Sequence, residues 1–313
     1  MTTYLVTGGA GFIGSNIVHT LLGQGHGVRV LDNFSTGRRE NLASVLDNIE
    51  VIEGDLRSQE TCRQSVQGVD YVLHQGAMPS VARSVADPFT SNDANTNATL
   101  NMLVAARDAG VKRFVFASSS SIYGDSPTMP KEESMIQRPK SPYAVAKMAA
   151  EHFCRIFYDL YGLETVCIRY FNVFGPRQDP NSQYSAVIPL FIKAMMAGKS
   201  PTIFGDGTQS RDFTFVDNNV SANLLAATAP AEDVSGQVFN IACGQRYTLL
   251  ELVEILNDLM GTDIQPTFDT SRKGDVKHSL AAIERAQAQL GYTVKVDFVE
   301  GLQRTVQWYA DKS

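Results

Sequence analysis

"TYLVTGGAGFIG", residues 3 to 14, is an apolar run that stops at glycines spaced three apart: Gly8, Gly11 and Gly14. The run reads as a buried strand, and the following "FIGSNIVHTLLGQG" reads as a helix closing on glycine. Glycines between a strand and a helix have a physical use. One permits a tight turn, one lets backbone approach a diphosphate, and one lets helix and strand pack closely. The start of the helix then offers free N–H groups and its positive end to the anion. The second strand, "VRVLD", ends in Asp32, 18 residues after Gly14. A carboxylate there takes ribose hydroxyls and repels a 2′-phosphate, so the pattern points to NAD rather than NADP. The third strand, "VIEGD", ends at Asp55 and Leu56, a place to hold an adenine ring.

Outward from the turn the same rhythm repeats. "YVLHQG" at 71, "RFVFASS" at 113 and "TVCIRYF" at 165 are further apolar runs, separated by helix-compatible stretches such as "NATLNMLVAARDAG". Strands alternating with helices make an α/β fold with a Rossmann-type, doubly wound parallel sheet, and six strands fill two βαβαβ halves over residues 1–172. After Asn172 the rhythm breaks in "GPRQDPN". Residues 173–313 are expected to form a smaller α/β substrate-binding lobe, with parts of about 205–242 returning to the first domain. Helical patterns are expected at roughly 185–198, 248–260, 281–289 and 298–310.

The 313 residues are 43% hydrophobic and 19% charged, a globular composition, and the net charge of -6 argues against a nucleic-acid surface. Cys62, Cys154, Cys167 and Cys243 are scattered without ligand spacing, which fits reduced thiols in a cytoplasmic protein and no metal site. No apolar run is long enough for a membrane span, and no signal peptide is expected.

"SPYAVAK" at 141–147 sets Pro142 in a first helical turn, with Tyr143 and Lys147 on one face a turn apart. Such a pair is either a solvated surface contact or a general acid/base whose pKa, ordinarily about 10, is lowered by the neighbouring cation.

Taken together, "TGGAGFIG", "SSSSIYG", "SPYAVAK" and "RYFNVFGP" resemble the extended short-chain dehydrogenase/reductase family, and within it the nucleotide-sugar 4-epimerases, the likeness reaching the late "RKGDVKHS". The resemblance implies that Tyr143 takes the proton of a sugar C4 hydroxyl while NAD takes the hydride. Lys147 then holds the nicotinamide ribose, and Ser119 is the third catalytic residue, with Ser121 also facing the sugar. It implies that Phe12, Ile13, Asn33, Gly76, Ala77 and Tyr170 lie along the cofactor and that Asn95 supports its loop. For a UDP-sugar it implies Asn172, Arg211 and Arg272 at the diphosphate, Asp275 at a ribose hydroxyl, and Val187 and Phe204 around uracil. Family dehydratases carry an acidic pair where this chain has Ser120 and Ser121, so epimerisation is expected rather than elimination.

Ser279 of "GDVKHS" stands where epimerases restricted to UDP-glucose and UDP-galactose carry tyrosine, beside the sugar's C2 substituent. Serine there opens room for an N-acetyl group, so UDP-N-acetylglucosamine/UDP-N-acetylgalactosamine is the expected pair, with UDP-glucose/UDP-galactose weaker; the alternative is a serine that merely permits both sizes in a UDP-glucose 4-epimerase proper. Arg177 near a C6 carboxylate would make a UDP-uronic acid the substrate instead. As in the family, a homodimer is expected through a four-helix bundle of the helices near 95–109 and 143–161, whose apolar residues Leu100, Leu103, Val104, Met148, Phe153, Ile156 and Phe157 lie on more than one face, one to cover the sheet and the other to pair. A reading from another class is a non-catalytic, NAD-sensing binding protein, against which the intact Ser119/Tyr143/Lys147 set argues.

Overall fold

The computed structural model describes residues 1–180, 186–270 and 277–312. Six strands form where the apolar runs predict them: β1 (Thr3–Thr7), β2 (Gly27–Asp32), β3 (Glu50–Glu53), β4 (Tyr71–His74), β5 (Arg113–Ser119) and β6 (Glu164–Tyr170). A seventh, β7 (Gln237–Ile241), comes from far along the chain and pairs Val238 with Cys167 and Ile241 with Tyr170. All pair in parallel, in the order β7-β6-β5-β4-β1-β2-β3.

The strands send alternate residues to opposite faces. Leu5, Leu31, Val72, Phe114 and Phe116 join a core with Met102 and Leu103 of α3 (Ala98–Asp108) and Ala150, Cys154 and Phe157 of α4 (Pro142–Tyr161); α2 (Gln59–Ser65) contributes Cys62. Val6, Val30, Leu73, Val115 and Ile168 face the other way, onto Ile17, Val18 and Leu21 of α1 (Phe12–Gly23). Burying each large side chain contributes roughly 1.5–3 kcal/mol, enough to fix the register of a sheet covered on both sides.

The second core continues into the later half of the chain, built on α5 (Val187–Met196), α6 (Val216–Thr228), α7 (Leu249–Met260) and α8 (Phe298–Ala310). Phe213 stacks on Phe298 at 5.2 Å, and Phe174 meets Phe215 and Phe298 edge-on at 5.7 and 5.6 Å. The helix expected at 281–289 differs. Leu280 and Ala282 bond in extended form to Lys131, so the helix starts only at Glu284 and runs to Leu290, its last five residues as a π-helix, before Gly291.

The apolar residues of the two helices expected at a dimer face divide between the sheet side and the outside. Leu103 and Phe157 are buried within the chain, and Leu100, Val104, Met148 and Phe153 are half-buried against its cores. Ile156 stays exposed, together with Val145, Leu160 and Tyr161 on the same helix.

Candidate active site

The glycine turn and the strand ends beside it form a cavity of about 900 Å³. Gly8 has φ +64, a left-handed conformation, and a Cβ on Gly14 would lie 2.2 Å from the Gly8 carbonyl oxygen. Only glycine fits that close approach, so the turn presents bare backbone to a ligand. Gly11, Phe12 and Ile13 line the cavity with it. A cavity of this size beside such a cradle, with a carboxylate at the next strand end, fits a dinucleotide.

That carboxylate also braces the turn. Asp32 accepts from the Ala10 N–H (2.9 Å) and the Phe34 N–H (2.8 Å), while burial pushes its pKa up. Asn33 donates to Asp55 at 2.9 Å; the Arg57 guanidinium, 2.7 Å from Asp55, holds that carboxyl well below the usual carboxylate range. Leu56, Gly76 and Ala77 line the same cavity. Asn95 lies behind it, accepting from the Met78 N–H (3.0 Å) and donating to the Ser91 carbonyl (2.8 Å), and so fixes the 76–80 loop.

Helix α4 aims Tyr143 and Lys147 into the cavity. Ser141 caps it, accepting from the Ala144 N–H at 3.2 Å, and Pro142 opens its first turn. The Ser119 side chain is close enough to the Tyr143 phenol to favour its charged form. Lys147 donates to the Ala117 carbonyl at 2.7 Å, and burial lowers its pKa to about 8. Burial raises the pKa of the Tyr143 phenol and Ser119 opposes the rise, while the Lys147 ammonium is turned to Ala117 and lies 6.0 Å from the phenol ring centre. Ser121 lies two residues after Ser119, its N–H bonded to the Ser119 hydroxyl at 3.2 Å and its own hydroxyl buried without a hydrogen-bond partner among the described residues.

Tyr170 lines the cavity in a ring of three side chains. It donates to Gln75 (3.0 Å), Gln75 donates to Asn223 (2.9 Å), and Asn223 donates back to the Tyr170 oxygen (2.6 Å). Gln75, directly before the expected cofactor residues Gly76 and Ala77, also lines the cavity, while no motif singles out Asn223.

Two residues beyond Tyr170, Asn172 lines a second cavity of about 280 Å³ with Val187, Phe204 and Arg211. Asn172 donates to the Asp212 carbonyl (3.0 Å) and to the Ser279 hydroxyl (3.3 Å). Arg211 donates to the carbonyls of Ser210 (3.0 Å) and Lys277 (3.1 Å). Asp212, missed in the sequence, accepts N–H bonds from Cys243 (3.0 Å), Gly244 and Ala281 (both 3.1 Å), fastening the segment that carries Ser279; burial pushes its pKa up to about 7. Arg272 and Asp275 lie outside the described residues. Arg177 does not line this second cavity. It faces the large one, its guanidinium 2.6 Å from Asn16 of α1.

The family model of the NAD dependent epimerase/dehydratase family matches residues 4–242. A UDP-glucose 4-epimerase of Mycolicibacterium smegmatis is 39% identical over 313 residues, 99% of each chain. Among solved structures, a UDP-N-acetylglucosamine 4-epimerase from Methanobrevibacter ruminantium, in complex with UDP-N-acetylmuramic acid, superimposes with a TM-score of 0.95 at 41% identity, covering 100% of this chain and 99% of that one. The Thermus thermophilus UDP-glucose 4-epimerase, in complex with NAD, gives 0.90 at 36% identity over 100% of both chains. The glycine cradle, the Ser119–Tyr143–Lys147 cluster and these similarities agree: the chain belongs to the NAD-dependent epimerase/dehydratase family and stands among its UDP-sugar 4-epimerases.

Proposed function

We propose that the chain interconverts UDP-N-acetylglucosamine and UDP-N-acetylgalactosamine through a 4-keto sugar, with UDP-glucose and UDP-galactose as a slower pair. The observation that carries the substrate choice is the half-buried Ser279 hydroxyl, 3.3 Å from the Asn172 amide at the second cavity. A small polar side chain there leaves room for an acetamide and offers it a hydrogen bond.

In this reading Tyr143 takes the proton of the C4 hydroxyl and returns it after the sugar turns over. NAD, when bound, supplies the acceptor and donor of the C4 hydride. Ser119 donates to the phenol oxygen, which favours the phenolate and orients it. Lys147 holds the nicotinamide ribose. The Ser121 hydroxyl, buried without a partner among the described residues, is assigned to the sugar. Neither Ser120 nor Ser121 can act as the acid of an elimination, so the keto sugar is reduced rather than dehydrated. The apolar and aromatic lining of the second cavity, Val187 and Phe204, suits uracil, with Asn172 and Arg211 toward the diphosphate. The exposed apolar stripe of α4 supports a homodimer, and the four free thiols fit a cytoplasmic setting.

The test is NMR of the C4 epimers formed from UDP-N-acetylglucosamine, UDP-glucose and UDP-glucuronic acid in parallel. Fastest turnover of the acetylated sugar is expected. Preference for either other sugar overturns the substrate choice, and no turnover of any returns the protein to a cofactor-binding role.

A further inference from the structure

We propose that Arg177 is the cation that holds the diphosphate of the dinucleotide, and that Gly175–Asp179 is a strap retaining the cofactor through turnover. The inference rests on NAD as the cofactor and not on the choice of sugar.

The strap is tied at three places. Asn16, in the first turns of α1, donates to the carbonyls of Phe12 (2.9 Å) and Pro176 (3.1 Å) and accepts from Arg177 Nη1 (2.6 Å). Tyr309 of α8 donates to the Gln178 carbonyl. Asp179 lies 3.6 Å from Arg38, whose own N–H bonds to Ala10 inside the glycine turn (2.9 Å). A segment leaving β6 is thereby drawn over the opening of α1, where Arg177 lines the large cavity with Gly11, Phe12 and Ile13.

Arg177 is poorly served by the protein alone. It has φ +69, a left-handed conformation that costs a non-glycine residue about 1 kcal/mol or more. Its guanidinium is half-buried near the positive end of a helix, and among the described residues its one hydrogen-bond partner is a neutral amide; Asp217 acts on it only from beyond salt-bridge distance and is itself paired with Arg304 at 3.3 Å. A desolvated cation so placed is unfavourable until an anion arrives. The planar guanidinium fork, with Nε and Nη2 left over, matches a phosphate group. The anion this cavity takes is the cofactor diphosphate.

Retention has a chemical purpose. A hydride removed from C4 must return to the same sugar, and loss of reduced cofactor would strand the keto compound. The same stretch, Asn172 to Asp179, borders the UDP-sugar cavity at one end and the cofactor at the other.

Arg177→Gln and Arg177→Lys test this in three measurements: NAD retained after dilution into cofactor-free buffer, affinities for adenosine and ADP-ribose, and the melting temperature of the stripped protein. Arg177→Gln is expected to lose NAD about tenfold faster or more, to bind ADP-ribose correspondingly more weakly, and to bind adenosine unchanged. Stripped Arg177→Gln should melt no lower than the native protein, since a poorly paired cation is gone, and Arg177→Lys should recover part of the retention. Unchanged NAD loss overturns the proposal. So does an equal weakening of adenosine and ADP-ribose, or a lower melting temperature of the stripped variant, since either marks a structural role. Failure of the sugar assignment would show only in the turnover of native protein.

Discussion

Glu151 and Arg169 form an ion pair at 2.8 Å with both side chains almost wholly buried, joining the helix that carries Tyr143 and Lys147 to β6. Ser118 donates to the same carboxylate, and Arg169 also donates to the Tyr123 phenol (2.7 Å), which donates to Asn240 of β7 (2.7 Å). The catalytic helix is thus keyed to three strands through one charge pair. Glu151→Ala should destabilise the fold by about 3–5 kcal/mol, because it leaves a buried guanidinium uncompensated. The double variant Glu151→Leu/Arg169→Met should lose less than the single one, and denaturant titration of both decides.

The ion pair also marks where the sequence stops being legible. Glycine turn, strands and the "SPYAVAK" helix are written in local periodicity and punctuation, so β1 to β6 and the positions of Asp32, Tyr143 and Lys147 can be read directly. Gln75 and Asn223 meet only because α6 packs beside β4 and β6. Asp212 matters through bonds to residues 31, 32 and 69 positions away. Nothing near them in the chain announces such partners. Arg177 is misplaced for the same reason: its neighbour Asn16 lies 161 residues earlier.

Tyr143→Phe should leave fold and NAD affinity intact while lowering turnover by about 10²–10⁴-fold, the range of a lost general acid/base. With burial raising the phenol pKa, native turnover should climb as pH rises from 6 toward 9 as the phenolate fraction grows. A variant within a few-fold of native would remove Tyr143 from the role.

Lys147 gives a stability signature that does not depend on activity. Its pKa is about 8 when folded and 10.5 at its ordinary value, so between those values the unfolded chain binds more protons. Stability should therefore rise with pH through that window, by up to about 3 kcal/mol. Lys147→Met should lack this rise, so the native-minus-variant difference between pH 8 and 10 isolates it. A flat difference would mean the ammonium is better solvated than its burial implies.

Val145, Ile156, Leu160 and Tyr161 leave an apolar stripe on α4 that the chain itself does not cover. Sedimentation at micromolar concentration should give twice the 34.2 kDa chain mass, and Ile156→Glu/Leu160→Lys should return it to one. A monomeric native protein would rule out the pairing.

Substrate size provides the sharpest discrimination. Ser279 is held by its own N–H bond to the Ser210 carbonyl (3.0 Å) and lies two residues from Ala281, whose N–H binds Asp212, so its backbone is fixed and its side chain alone sets the local space. Ser279→Tyr would push a ring across Asn172 into the volume an acetamide needs, an overpacking that costs typically about 1–3 kcal/mol when the neighbours cannot move. Turnover of UDP-N-acetylglucosamine should then fall by roughly tenfold to a hundredfold while UDP-glucose is spared. Ser279→Ala separates space from hydrogen bonding: it keeps the room and removes the hydroxyl, so the acetylated sugar should lose a few-fold in affinity but not its preference. The ratio of kcat/KM for the two sugars is the quantity to measure. If Ser279→Tyr leaves that ratio unchanged, the residue is not the gate, and the preference must be set elsewhere in the pocket.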